Sequence, residues 1–217
     1  MDSTYRHADL TVDQQHALLT AARTLAAEFA GTFGTETIER FLHTSYDQFA
    51  GRAVIANYLP LLAERFARQR LRALARVEGK DGSGVPIVLF LCVHNAGRSQ
   101  MALGFFARLA GERALGWSGG TEPGELINPA VVEVMHERGI DITGEFPKPW
   151  TSEIVQAADV VVTMGCGDAC PVHPGKRYLD WDLDDPDGKT PEQIRPIRDD
   201  IERRVRALLA DIGVPAG

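Results

Sequence analysis

The chain has 217 residues, 44% of them hydrophobic and 24% charged, the balance of an ordinary globular protein with room for one domain or two. A formal net charge of −7 and a pI near 5.4 argue against a general nucleic-acid or membrane-surface binder. No apolar run approaches the roughly 20 residues that a spanning helix needs, and the start, Met1-Asp2-Ser3-Thr4-Tyr5-Arg6, is polar with no signal-peptide core, so a cytoplasmic protein is expected.

Up to about residue 80 the pattern is helical. Thr11, with Gln14 three residues on, has the spacing of a capping box. Leu18, Ala22, Leu25 and Phe29 then recur at helical spacing until Gly31 and Gly34 interrupt. A second helix carries Ile38, Phe41, Leu42 and Phe49 and breaks at Gly51. A third starts near Pro60, with Ala63, Phe66, Ala67, Leu71 and Leu74 on one face and Arg65, Arg68, Arg72 and Arg76 largely off it. Three helices with short connections predict an all-α three-helix bundle over residues 1–80. Its arginines are expected to form the solvated face of an amphipathic helix, not a nucleic-acid surface.

Glu78-Gly79-Lys80-Asp81-Gly82-Ser83-Gly84 is a linker by composition, and beyond it the period changes. Ile87-Val88-Leu89-Phe90-Leu91 is a continuous apolar run, as in a buried parallel strand. A helix follows from about Arg98 through Met101, Phe105, Phe106 and Leu109, then a short strand over 115–118. Residues 129–138 read as a helix opened by Pro129 and closed by Gly139, and residues 151–158 as another. Val160-Val161-Val162-Thr163-Met164 is a second buried strand, and 176–179 a short one. Thr190 and Gln193 cap a last helix whose inner face is Ile194, Ile197, Ile201, Val205 and Leu208. Alternating strands and helices predict an α/β domain over residues 86–217, a small parallel four-stranded sheet with helices on both faces.

Between the first strand and its helix lies Cys92-Val93-His94-Asn95-Ala96-Gly97-Arg98-Ser99, a C-x5-R loop. Ligands bind at the carboxyl ends of strands in such sheets, and a helix N-terminus with converging N–H groups attracts anions. Ala96 and Gly97 are small enough to let backbone approach an oxyanion, and Arg98 offers a planar fork to two of its oxygens. The dipoles that hold an anion also favour thiolate at Cys92. Ser99 is placed to hydrogen-bond the sulfur, Asn95 to hold the loop's shape, and His94 to stand at its rim. Three cysteines, an odd count with no second close histidine pair beside His173, fit neither a disulfide scaffold nor structural zinc, so no metal is expected.

On these residues, 86–217 resembles the low-molecular-weight tyrosine phosphatase fold. The string from Cys92 through Asn95 and Arg98 to Ser99-Gln100-Met101-Ala102 resembles the family's arsenate reductase branch, since phosphatases of the fold usually have proline where this chain has Gln100. Met164-Gly165-Cys166-Gly167-Asp168-Ala169-Cys170-Pro171 and Trp181-Asp182-Leu183-Asp184-Asp185-Pro186 resemble the same branch. The three N-terminal helices are similar to the dimerisation segment fused to some actinobacterial-type reductases. The resemblance implies arsenate reduction in arsenic detoxification. Cys92 would attack, Arg98 hold the oxyanion and Asp185 protonate the leaving oxygen. Val93, His94, Asn95, Ala96, Gly97 and Ser99 would complete the cradle, which phosphate or sulfate would also fill.

Cys166 and Cys170 would relay the resulting disulfide outward, with thioredoxin as reductant. Only Gly167-Asp168-Ala169 separates them, a shorter interval than in most thioredoxin-coupled members. The other route is mycothiol with a mycoredoxin, which needs only the first cysteine. No bound cofactor is implied. Leu103 stands where thioredoxin-coupled members often carry a glutamate that helps hold potassium, so no potassium site of that kind is expected. Two other readings compete. A phosphatase acting on phosphotyrosine or small phosphoesters would share Cys92, Arg98 and Asp185 and have no use for Cys166 and Cys170. A non-enzymatic oxyanion or thiol sensor would have no use for Asp185.

Overall fold

The computed structural model describes residues 10–50, 58–165, 172–215 and 217, and they form two compact units, Met1–Gly82 and Ser83–Gly217. The first unit holds α1 (Val12–Glu28), α2 (Thr35–Ala50) and α3 (Leu59–Val77). The Thr11 N–H donates to Gln14 Oε1 at 3.0 Å and the Gln14 N–H to Thr11 Oγ1 at 3.2 Å, the reciprocal cap that the spacing predicts. Leu18 and Leu25 of α1 pack on Ile38 and Leu42 of α2 and on Ala63, Ala67 and Leu71 of α3. Each large side chain withdrawn from water in this way contributes about 1.5–3 kcal/mol. Glu28, at the end of α1, accepts from Arg68 Nε (2.6 Å) and Arg72 Nη2 (2.8 Å) of α3, so two of the arginines lace the bundle.

The second unit holds β1 (Ile87–Cys92), α4 (Arg98–Ala110), β2 (Leu115–Gly120), α5 (Pro129–His136), α6 (Ser152–Ala157), β3 (Val160–Met164), β4 (Arg177–Asp180) and α7 (Pro191–Asp211). The sheet is wholly parallel in the order β2-β1-β3-β4. Every residue of β1 is buried because helices cover both faces. Val88, Phe90 and Cys92 face the core shared with α4, α5 and α7, where Phe90 meets Phe106 edge-on at 5.5 Å between ring centres. The alternate residues Ile87, Leu89 and Leu91 turn to the other face, where α6 contacts β1. β2 runs two residues past the expected Ser118, and β4 lies one residue later than expected. No helix among the described residues is long and apolar enough to cross a membrane.

The register fixes where chemistry can sit. Cys92 pairs with Gly120 of β2 and with Met164 of β3, so three strands end level. The connection from β1 runs to one side of the sheet and the next crosses to the other. The carboxyl end of β1 is therefore the switch point at which open parallel sheets leave a crevice.

Candidate active site

The loop between β1 and α4 is shaped by what its carbonyls do. The carbonyls of Cys92, Val93, His94 and Ala96 accept from the N–H groups of Thr121 (3.3 Å), Glu122 (2.9 Å), Gly124 (2.8 Å) and Asn128 (2.9 Å), and that of Asn95 accepts from Gln100 Nε2 (3.0 Å). In a trans peptide the N–H points opposite to the carbonyl that precedes it. Tying five successive carbonyls outward thus turns the N–H groups of Val93, His94, Asn95, Ala96 and Gly97 inward. The N-terminus of α4, starting at Arg98, adds its dipole. The result is a concave row of donors suited to a tetrahedral oxyanion.

Cys92 stands at the floor, 2% exposed. The Asn95 N–H donates to its sulfur at 3.2 Å, and Ser99 Oγ lies 3.0 Å from it. Ser99 Oγ already accepts from Asn95 Nδ2 at 2.8 Å, which leaves its one hydrogen for the sulfur. Two donors converging on one sulfur is the arrangement that solvates a thiolate. Asn95 itself adopts φ +48°, the left-handed region, alone among the described non-glycine residues. Asparagine enters that region more readily than other L-residues, and contacts reinforce the turn. Here Asn95 Oδ1 accepts from the Lys148 N–H (3.0 Å) and from Gln100 Nε2 (3.2 Å).

Arg98 reaches back beneath the loop. Its Nη2 lies 2.5 Å from Asp185 Oδ2 and its Nη1 donates to the Leu183 carbonyl at 3.4 Å. Its side chain is 8% exposed and that of Asp185 49%. Two glycines permit this packing. A Cβ on Gly165, at φ +74°, would stand 2.7 Å from Arg98 Nη1, and one on Gly97 would stand 2.5 Å from Pro186 Cγ. Asp185 Oδ1 accepts from the Asp187 N–H (3.1 Å), which fixes the carboxylate at the mouth of a cleft of about 710 Å3. Cys92, Gly97, Arg98, Leu126, Asp185 and Lys189 are among the residues that line it.

The geometry thus brings Cys92, Arg98 and Asp185 to one cleft and wraps Val93 to Gly97 around it. The His94 side chain is exposed, its Nδ1 3.1 Å from the Glu122 carbonyl, so its backbone and not its ring faces inward. Cys166 and Cys170 lie outside the described residues. Among the described residues no cluster of three or more His, Cys, Asp or Glu side chains is arranged to hold a metal. Sequence reasoning missed Lys148, the 121–128 segment that holds the carbonyls, and the part Gln100 plays; none of these has a local signature.

Residues 87–214 match the family described as low molecular weight phosphotyrosine protein phosphatase, and residues 18–75 match the protein-tyrosine-phosphatase-like N-terminal domain. Among solved structures, a thioredoxin-dependent arsenate reductase of Corynebacterium glutamicum superposes with a TM-score of 0.83 at 46% identity, covering 92% of this chain and 98% of that one. A putative arsenate reductase of Halobacterium salinarum is 44% identical over 121 residues, 54% of this chain and 85% of its own. A glutaredoxin arsenate reductase of Synechocystis sp. is 36% identical over 128 residues, 58% of this chain and 97% of its own. With a family match across residues 87–214 and the N-terminal domain ahead of it, the chain belongs to the low molecular weight phosphotyrosine protein phosphatase family.

Proposed function

We propose that the protein reduces arsenate to arsenite, with Cys92 as nucleophile. The observation that carries the reading is Cys92 Sγ, held by the Asn95 N–H and Ser99 Oγ, in one cleft with Arg98 and Asp185. The thiolate attacks arsenic(V) while the loop N–H groups and Arg98 hold the oxyanion. Asp185 gives a proton to the departing oxygen, which leaves as water, and a Cys92–S–As bond remains. A second thiolate then attacks the Cys92 sulfur. A disulfide forms, the electron pair of the S–As bond stays on arsenic, and arsenite leaves. Cys166 is proposed as that second thiol and Cys170 as the one that carries the disulfide outward.

Thioredoxin is the proposed reductant, supported by the likeness to the Corynebacterium enzyme over 92% of the chain. The alternative is resolution by mycothiol and a mycoredoxin. The N-terminal helices are proposed to form a homodimer. Val12 (80% exposed), Leu19 (58%) and Leu61 (52%) leave apolar surface on that unit.

The test is reconstitution. NADPH oxidation by thioredoxin reductase and thioredoxin should depend on both arsenate and the protein, and Cys92→Ser should abolish it. Activity only with mycothiol and a mycoredoxin would move the resolving step to an external thiol. Turnover of p-nitrophenyl phosphate with no arsenate reduction in either system would make the protein a phosphatase. For the dimer, sedimentation of a chain cut at Gly82 should give a monomer; retention of the full-length oligomeric state would refute that role.

A further inference from the structure

We propose that Gln100 is a positioning residue for the Cys92 nucleophile, acting through Asn95. The inference rests on the reading of Cys92 given above. Gln100 is fully buried in the first turn of α4 and does not itself line the cleft. Its Nε2 lies within hydrogen-bond reach of three acceptors: the Asn95 carbonyl (3.0 Å), Asn95 Oδ1 (3.2 Å) and the Phe146 carbonyl (3.3 Å). The three acceptors are oxygens and the amide nitrogen is the donor that serves them, so the orientation of the amide follows from its surroundings.

The two contacts to Asn95 act on different parts of one residue. The bond to its carbonyl fixes the peptide that follows, and the bond to Oδ1 fixes the side chain. Together they hold the backbone in its left-handed conformation and aim Nδ2 at Ser99. One of the two donors on the sulfur depends on this. The Asn95 N–H points at Sγ because the His94 carbonyl of the same peptide is held by the Gly124 N–H, but the Ser99 hydroxyl keeps its hydrogen for Sγ because Asn95 Nδ2 occupies one of its lone pairs. The bond to Phe146 ties the same amide to the segment that supplies the Lys148 N–H to Asn95 Oδ1. An apolar side chain at position 100 would fill the volume, take the Gln100 donor from the Asn95 carbonyl and leave Asn95 Oδ1 with the Lys148 N–H alone. The four other outward-tied carbonyls, at Cys92, Val93, His94 and Ala96, would keep most of the oxyanion cradle intact. The consequence is selective: the sulfur loses the Ser99 hydroxyl as an aimed donor while the oxyanion keeps most of its own.

The experiment uses the full-length chain and Gln100→Met, a swap of similar size. Alkylation of Cys92 by iodoacetamide at pH 7, resolved by peptide mass spectrometry, should slow about tenfold. kcat for arsenate should fall by a similar factor, while KM and the sulfate Kd change by less than about threefold. In an Asn95→Ala background, which removes the residue through which Gln100 acts, the same substitution should change the alkylation rate by less than about twofold, because effects through one shared partner are not additive. An unchanged alkylation rate in Gln100→Met, or full additivity with Asn95→Ala, would overturn the inference. So would equal losses in alkylation and sulfate binding, the mark of a general collapse of the loop. If Gln100→Met does not fold, Gln100→Leu and the same cycle in that background decide. Arsenate reduction by Cys92→Ser would instead sink the reading of the site. A dead Cys92→Ser with an unaffected Gln100→Met would sink only the role of Gln100.

Discussion

Asp185→Asn should separate binding from chemistry, and in opposite directions. Arg98 pairs with the Asp185 carboxylate at 2.5 Å. An incoming oxyanion must share or displace that contact and then lie beside a like charge. Exposed ion pairs contribute about 0–1 kcal/mol. Arg98 is almost wholly covered and Asp185 is half exposed, which places this pair toward the upper end, about 0.5–1 kcal/mol after discounting for solvent screening. Asparagine keeps the shape, removes the competitor and removes the repulsion. Sulfate should therefore bind about 2- to 5-fold more tightly to Asp185→Asn. The chemical step should slow by about 10²–10⁴-fold, because the departing oxygen loses its proton donor. Titration calorimetry with sulfate reads the first effect and rapid-quench single turnover with arsenate the second. Weaker or unchanged sulfate binding would refute the competition argument. Full single-turnover activity would move the acid role to Asp182 or Asp184, the neighbouring carboxylates.

Two further substitutions test the packing that positions the site. Gly165→Ala adds a Cβ 2.7 Å from Arg98 Nη1 in a backbone at φ +74°, so denaturant melts should show a loss of about 1–2 kcal/mol. Sulfate affinity should fall with it, and an unchanged affinity would mean the guanidinium does not pack there in solution. Glu137 joins α5 to α7: Arg195 and Arg198 hold its carboxyl down at about 2, from 4.5, chiefly through hydrogen bonds from Arg195. A depressed carboxyl stabilises the fold above its unfolded value and loses that contribution as pH falls through the folded one. Glu137→Gln should thus melt below the parent at pH 7, and the gap should close between pH 4.5 and about 2; a gap that stays constant across that window would rule out the linkage.

How much of this was legible depends on where the information lies. β1 was readable because a strand buried on both faces must be apolar throughout, and α7 because Ile194, Ile197, Ile201, Val205 and Leu208 mark one face of a capped helix. β2 runs past the expected Ser118 through two glycines, Gly119 and Gly120. They continue the strand, since a Cβ on Gly119 would stand 3.1 Å from the Trp150 nitrogen and the Gly120 N–H donates to the Lys148 carbonyl. Cys92 and Arg98 were readable because seven consecutive residues contain them. Asp185 was found only through resemblance, since the contact spans 87 positions and one aspartate of an acidic loop looks like the next.

What aims the loop was invisible for a deeper reason: most of it is backbone. The N–H groups of Thr121, Glu122, Gly124 and Asn128 hold the loop carbonyls, and every residue except proline has such a group. Side-chain identity in that segment should therefore matter less than the presence of the N–H, and one position can separate the two. Glu122 is the cleanest, because its N–H donates to the Val93 carbonyl at 2.9 Å and that bond turns the His94 N–H inward. Glu122→Ala keeps the donor and should bind sulfate within about twofold of the parent. Glu122→Pro removes it, frees the peptide between Val93 and His94 to rotate, and should weaken sulfate binding by about tenfold, the value of one hydrogen bond to a charged group. Calorimetry on the two variants, each checked for a parent-like melt, decides the matter: equal affinities would mean that the cradle does not depend on its carbonyls being held from behind.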